Sequence, residues 1–370
     1  MSYLHGNEQE ELIDRAFLGK KIGLITNPTG INQGFRATID MLAESYRLCA
    51  LYSPEHGVRG DIQAGGKVDS YVDEKTGLTA YSLYQNRASE EIFSGVDVIA
   101  YDIQDVGARF YTYIYTLTEA MEAAARYQKK VVVLDRYNPL GLTKVEGAIL
   151  DKKFTSGVGK YNIPARYALT VGEFAKFVNE AEGIGCDLEV IPCKNLGRGD
   201  DFRTLGLDWI LPSPNLPSYE SALAYIGTVL LEGTNMSEGR GTTKPFEMIG
   251  APFLRADEVI KYIESLGLCG FKLRECYFTP TFSKHRGELC RGLQIHITDS
   301  DAFEPFSLGL LMLDYIRKTH SELNLREEFL CYLLGNDEFL KDGFNAERFI
   351  EEQKEAQKRY NEQIKQYFIY

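Results

Sequence analysis

The sequence lacks several features that would assign a protein to a class at once. No cysteines are spaced C-x-x-C, and the seven present (Cys49, Cys186, Cys193, Cys269, Cys276, Cys290 and Cys331) are an odd number. An extracellular disulfide scaffold more often shows a paired set, so reduced thiols are expected. The N-terminus has no basic segment leading into an apolar one. Together these features give a cytoplasmic expectation, although a chain trimmed of a secretion signal would read the same way. No apolar run approaches the roughly 20 residues needed to cross a bilayer, so no membrane partner is expected.

Basic charge is also short. Against 53 acidic residues stand 41 Lys and Arg, for a net charge of −12. Nucleic-acid binding needs a basic footprint to neutralise phosphates, and nucleic acid is not an expected partner. No G-x-G-x-x-G follows the first apolar strand, and Gly23, Gly30 and Gly34 do not make one. A P-loop and a G-x-S-x-G nucleophile elbow are absent as well. The five histidines (His5, His56, His285, His296 and His320) form no H-E-x-x-H. Neither a metal nor a cofactor is required.

What is present suits an ordinary soluble globular protein, with 44% hydrophobic and 25% charged residues over 370 positions. That length favours two domains. Up to about residue 250, short apolar runs alternate with amphipathic segments. Strands are expected at 21–26, 48–52, 78–84, 96–101, 131–134 and 188–193, with helices at 35–44, 113–126, 171–181 and 221–231. Strands apolar on both faces and separated by helices predict a mainly parallel sheet covered on both sides. The fold class is α/β, a Rossmann-like doubly wound sheet, followed by a smaller α+β C-terminal domain. In that second part, strands are expected at 271–282 and 289–298 and helices at 306–317 and 346–366. The charge of the last helix suggests a solvated face. The domains are placed at residues 1–252 and 253–370.

In an open parallel sheet, ligands bind beyond the carboxyl ends of the strands. Here those ends carry polar side chains beside Gly or Pro. Strand one runs into Asn27-Pro28-Thr29-Gly30, and strand two into Pro54-Glu55-His56-Gly57. Later ends bring Asp102, Gln104, Asp105, Arg109 and Tyr111, then Arg136 and Asn138, then Asn215. A further glycine-rich segment holds Glu238, Arg240 and Thr242. Structural readings compete for each. Asp105 equally suits helix capping, His56 a satisfied loop histidine, and Arg109 or Arg136 a structural ion pair with Asp102 or Asp135. Glu55 is harder to explain structurally, since no helix start calls for a carboxylate there. The candidate catalytic residues are Glu55, Asp102 and Glu238. The candidate substrate-binding residues are Asn27, His56, Gln104, Asp105, Arg109, Tyr111, Arg136, Asn215, Arg240 and Thr242. An acid-rich rim with arginines and aromatic residues suits general acid–base chemistry, and glycoside hydrolysis is commonly run by such carboxylates.

Several blocks, in order, carry a more specific signal: LITNPTGI (24–31), YSPEHGVRG (52–60), YDIQDVGARFYTY (101–113), VLDRYNPLG (133–141), PSPNLPS (212–218) and EGTNMSEGRGTTKPFEMIGAP (232–252). FSKHRGELCRGLQIHITD (282–299) extends the series over nearly the whole chain. In these blocks the sequence resembles the NamZ-like exo-β-N-acetylmuramidase family. The resemblance implies a Rossmann-like catalytic domain and a smaller C-terminal domain across a cleft. It also implies release of non-reducing terminal N-acetylmuramic acid (MurNAc) from MurNAc-β-1,4-GlcNAc fragments, in peptidoglycan recycling or scavenging. Within the matching block, the likeness makes Glu55 the foremost catalytic residue.

On that basis Glu55 is the expected acid. Asp102, Glu238 or the substrate's own 2-acetamido oxygen would then serve as the second group. MurNAc carries a lactyl carboxylate, so Arg109, Arg136 or Arg240 would supply charge recognition, while Tyr111 and Tyr113 would stack on the sugar ring. Two other readings remain open: a nucleotide-dependent Rossmann enzyme, and a non-catalytic protein that binds cell-wall sugars.

Overall fold

The computed structural model describes residues 2–54, 57–60, 70–83 and 89–370. Seven strands form the larger sheet: β1 (Lys21–Thr26), β2 (Arg47–Ser53), β3 (Tyr71–Val72), β4 (Thr79–Ser82), β5 (Val98–Asp102), β6 (Lys130–Leu134) and β7 (Asp187–Ile191). Their order is β3-β4-β2-β1-β5-β6-β7, and only the β3–β4 pair is antiparallel. The strand order reverses beside β1, which lies between β2 and β5. Thr26 pairs with Asp102 at the carboxyl ends of β1 and β5. This is the point where an open α/β sheet offers a crevice.

Alternation along the strands builds two cores from one sheet. Leu24, Val98, Ala100, Val132 and Leu134 pack with Ile13, Phe17, Ile39 and Leu42 of helices α1 (Glu10–Phe17) and α2 (Thr38–Ser45). Ile25, Ile99, Tyr101, Val131 and Val133 face the other way. They pack with α4 (Tyr113–Arg126) and α5 (Val171–Ala181); a one-turn helix, α3 (Glu90–Phe93), precedes β5. Burial on both faces is what a continuous apolar strand requires. A reciprocal capping box starts α5, with the Thr170 hydroxyl accepting from Glu173 N and the Glu173 carboxylate accepting from Thr170 N.

The second part holds α6 (Tyr219–Thr228), β8 (Met248–Ala251), α7 (Ala256–Ser265), β9 (Phe271–Phe278), β10 (Cys290–Ile297), α8 (Pro305–Thr319), α9 (Glu327–Leu334) and α10 (Ala346–Ile364). Strands β8, β10 and β9 form an antiparallel sheet in that order. A third core joins Leu223 and Ile226 of α6 with Ile249, Val259, Leu293, Leu310 and Leu330. Strand β8 ends at Ala251, just before the expected domain boundary after residue 252, and pairs with β10 from beyond it. The last helix is only partly a solvated face: Phe349, Tyr360 and Ile364 are buried, and the Tyr360 hydroxyl donates to Tyr167 O.

Helices α6 and α8 meet backbone to backbone. A Cβ on Gly227 would lie 1.9 Å from Pro305 O, and one on Gly309 would lie 2.3 Å from Gly227 O. No rotamer change relieves a clash with a carbonyl. Gly227→Ala is therefore expected to destabilise the protein by about 3 kcal/mol, the upper end for overpacking, read as a lower denaturant midpoint at unchanged slope. An unchanged midpoint would mean that the helices are not in contact.

Candidate active site

The loop after β5 brings several of the expected residues into place. The Asp102 carboxylate is fully buried and accepts from Arg136 Nε and Nη2, from the Thr38 hydroxyl and from Asn7 Nδ2. Arg136, itself only 3% exposed, also donates to Ile31 O. Burial pulls the Arg136 pKa down, but the Asp102 charge more than offsets this, and the guanidinium is raised above its ordinary value. Asn27 Oδ1 accepts from the backbone and hydroxyl of Thr29, and that hydroxyl accepts from Gln104 N. These groups lock three strand ends together.

Asp105 sits one step further along. Its Oδ2 accepts from Gly107 N at 2.6 Å and from the Tyr167 hydroxyl, while its buried Oδ1 has no partner among the described residues. Burial raises its pKa to about 6 against the opposing effect of those hydrogen bonds. Gly107 has φ +79, and a Cβ there would fall 2.1 Å from Asn138 Oδ1, so glycine alone fits this turn. Arg109, expected on the rim, is wholly enclosed. It donates to Ala148 O, Ile163 O and Leu333 O, and burial lowers its pKa to about 10.

Beyond Arg109 the chain reaches a cavity lined by Tyr111, Tyr113, Ser213, Tyr225, Glu232 and Arg240, among others. The Tyr111 ring stands edge-on to Tyr113 at 5.1 Å and to Tyr225 at 6.4 Å. Its buried hydroxyl makes no hydrogen bond of normal geometry among the described residues. Arg240 donates to Glu232 at 2.8 Å, pairs with Glu238 at 3.3 Å, and lies 5.2 Å above the Phe246 ring. Its Nη1 has no partner among the described residues. Phe246 is buried at φ +66, a conformation that costs a non-glycine residue about 1–3 kcal/mol. It holds Tyr225 edge-on at 4.7 Å as well as carrying the arginine.

The structure thus divides the expected site residues. Tyr111 and Arg240 share this cavity. Gln104 and Arg136 line a second one, with Thr29, Phe35 and Trp209, at the ends of β1, β5 and β6. Asn27, Asp102 and Arg109 are buried. Asn215 is nearly buried, with its N–H donating to Ser213 Oγ, and the Thr242 hydroxyl donates to Gly239 O. Glu238 is 2% exposed, one oxygen facing Arg240 and the other accepting from Lys284. Glu55 and His56 lie outside the described residues. Sequence reasoning missed Tyr225, Glu232, Phe246 and Lys284. Tyr225 reads as helix core, and nothing in the sequence marks Phe246 as a residue of positive φ.

Sequence families described as exo-β-N-acetylmuramidase NamZ, N-terminal and C-terminal, match residues 22–220 and 223–370. The chain belongs to the NamZ family. The peptidoglycan β-N-acetylmuramidase NamZ of Bacillus subtilis (strain 168) is 45% identical over 364 residues, covering 95% of this chain and 87% of that relative. Two crystal structures of DUF1343 family proteins from Bacteroides fragilis NCTC 9343 superpose with TM-scores of 0.88 and 0.84, at 33% and 32% identity. Each covers 100% of this chain and 99% of its own. The NamZ motifs that match here therefore sit on the fold seen in those relatives.

The raised Asp105 pKa has a measurable effect on stability. An unfolded aspartate titrates near 3.9, so between about pH 4 and 6 the folded state binds the extra proton, and stability from this group falls as pH rises through that window. Burial likewise raises Asp135 to about 6 and moves Glu146 upward, so the wild type carries the effect at several carboxylates. Asp105→Asn should remove one share. Its stability relative to wild type should rise by about 2 kcal/mol from pH 4 to pH 7, measured by urea unfolding. A pH-independent difference would place the ionised form of Asp105 at no disadvantage.

Proposed function

We propose that this protein is an exo-acting β-N-acetylmuramidase that removes the non-reducing terminal MurNAc from MurNAc-β-1,4-GlcNAc fragments of peptidoglycan. The observation that carries this reading is the pairing, in one cavity, of three tyrosine rings with a guanidinium whose Nη1 has no hydrogen-bond partner among the described residues. Tyrosine faces suit a sugar ring. A cation is what a muramyl site needs and a glucosaminyl site does not, because only the former meets a lactyl carboxylate. Of the three expected arginines, Arg109 is spent on carbonyls and Arg136 on Asp102, which leaves Arg240 as the one to meet that carboxylate. The B. subtilis relative is named for the same activity.

In this reading Glu55, within the NamZ-like block 52–60 and two residues beyond the end of β2 in the sequence, protonates the departing GlcNAc oxygen. Asp102 and Glu238 have both oxygens committed to cations or donors, which suits positioning better than attack. The remaining candidate for the second group is the substrate's 2-acetamido oxygen, whose attack on the anomeric carbon would expel the protonated leaving group and give an oxazolinium that water then opens. The first part of the chain supplies the acid and the tyrosine loop, and the second supplies the Arg240 loop, with the seam between residues 220 and 252. Recycling or scavenging of wall fragments in the cytoplasm agrees with seven free cysteines. Among the described residues, no helix is long and apolar enough to cross a membrane.

Glu55→Gln should lower kcat on a muramyl glycoside with a poor leaving group by about 10²–10⁴-fold, and activity within a few-fold of wild type would remove Glu55 as the acid. Arg240→Ala should raise KM for that glycoside about tenfold or more, the equivalent of one charge-assisted hydrogen bond. It should barely alter KM for an analogue whose lactyl group is a neutral amide. Equal losses on both would end the carboxylate assignment.

A further inference from the structure

Arg240 is held by two carboxylates, and both trace back to a residue outside the cavity. Glu232 lies in the 3₁₀ turn Val229–Gly233, and Glu238 in the loop that follows. Lys284 reaches both segments. Its Nζ donates to Leu231 O at 2.7 Å, to Met236 O at 2.8 Å and to Glu238 Oε2 at 3.0 Å. All three ammonium protons are thereby used. One lysine thus clamps the segment that carries Glu232 and neutralises Glu238.

The backbone around Lys284 is built at a cost. Ser283 and His285, on either side, have φ +68 and +55, and each is a non-glycine residue in the left-handed region. His285 Nε2 pairs with Asn235 O at 2.7 Å. The facing loop is fitted to this one: Gly241 has φ +84, a Cβ there would meet Phe282 O at 2.6 Å, and Thr281 N donates to Gly241 O at 2.9 Å. The two loops therefore interlock so that the lysine reaches the glutamate that pairs with Arg240.

We infer that Lys284 is a positioning residue of the carboxylate-binding site, setting the affinity for the anionic substituent of the sugar by fixing and neutralising the glutamates that hold Arg240. This rests on the assignment of Arg240 to the lactyl carboxylate. With Lys284 in place, two carboxylates face two cations. Without it the cluster carries a net negative charge, and Arg240 is drawn toward Glu238 and away from its ligand.

The test measures KM and kcat on a muramyl glycoside and on its neutral lactyl-amide analogue. Lys284→Met should raise KM for the charged substrate about fivefold with kcat within twofold, and leave KM for the amide within twofold. Lys284→Arg should recover most of the loss. The double variant Glu238→Gln/Lys284→Met removes one charge of each sign, and should bind the charged substrate better than Lys284→Met alone. Lys284→Gln, which keeps an N–H donor group without the charge, is measured beside it so that a folding defect in the Met variant does not decide the outcome. If Arg240→Ala abolishes the preference for the charged substrate while the Met and Gln variants both keep it, the inference about Lys284 is overturned. If Arg240→Ala itself leaves the preference intact, the carboxylate reading is what fails. A double variant no better than the single one also sinks the inference.

Discussion

The ion pair between Asp102 and Arg136 holds the rim of the sheet together. It is buried at the switch point and joins the ends of β5 and β6 to the loop after β1 through Ile31 O. Thr38 ties it to the first turn of α2, and Asn7 ties it to the N-terminal segment. A buried ion pair repays its desolvation only when its remaining donors and acceptors are satisfied, and here Oδ1 accepts from Arg136 Nε while Oδ2 accepts from Arg136 Nη2, Thr38 and Asn7. Loss of either partner would leave a charge uncompensated in the interior. The pair therefore specifies one arrangement of the strand ends, and every loop that reaches toward a ligand departs from that arrangement. Thr26 adds to the lock by donating to Asp102 O across the crevice itself.

Much of the fold was legible because the larger sheet is buried on both faces. The strands β1, β5 and β6 are nearly uninterrupted apolar runs, and α4 and α5 have the bounds expected from the sequence. Elements that went unread were short, or carried too little apolar signal to stand out. Strand β8 has four residues including a glycine, β3 has two, and α7 and α9 start at arginines that supply no side-chain cap. The last helix read as solvated because charge dominates its composition, yet a narrow stripe is enough to seat it. The convergence of polar loops at one edge followed from topology. Which side chains face a cavity did not, because Arg109, Arg136 and Arg240 look alike in sequence and differ only in their partners.

Those partners separate the three guanidinium groups physically. Among the described residues Arg109 meets no carboxylate; its charge rests on three carbonyls, one of them in the last turn of α9, where a helix end favours a cation. Its depressed pKa reflects that burial. Arg136 is matched to one carboxylate in two-point geometry and held rigid. Arg240 is different again: it is shared between two glutamates, stacked on an aromatic ring and 28% exposed. A free surface arginine would be conformationally loose, so binding an anion would require ordering its long side chain. Arg240 has already been ordered by folding, and its flanking carboxylates hold the fork in plane while one edge stays available.

The same logic explains why strain gathers in this region. Phe246, Ser283 and His285 all adopt positive φ without being glycine, and Gly239 and Gly241 adopt it within a few residues of Arg240. Each non-glycine case costs on the order of 1–3 kcal/mol, which a domain of ordinary stability can bear only where packing and hydrogen bonds over-determine the conformation. Phe246 is over-determined by Tyr225 and Arg240, and the loop at 283–285 by Lys284 and His285. A smoother backbone would have left the arginine on a mobile loop. Because the cavity side of the guanidinium must meet a carboxylate in fixed geometry beside a stacked sugar, the energy spent on these turns goes into holding one charge still before the ligand arrives.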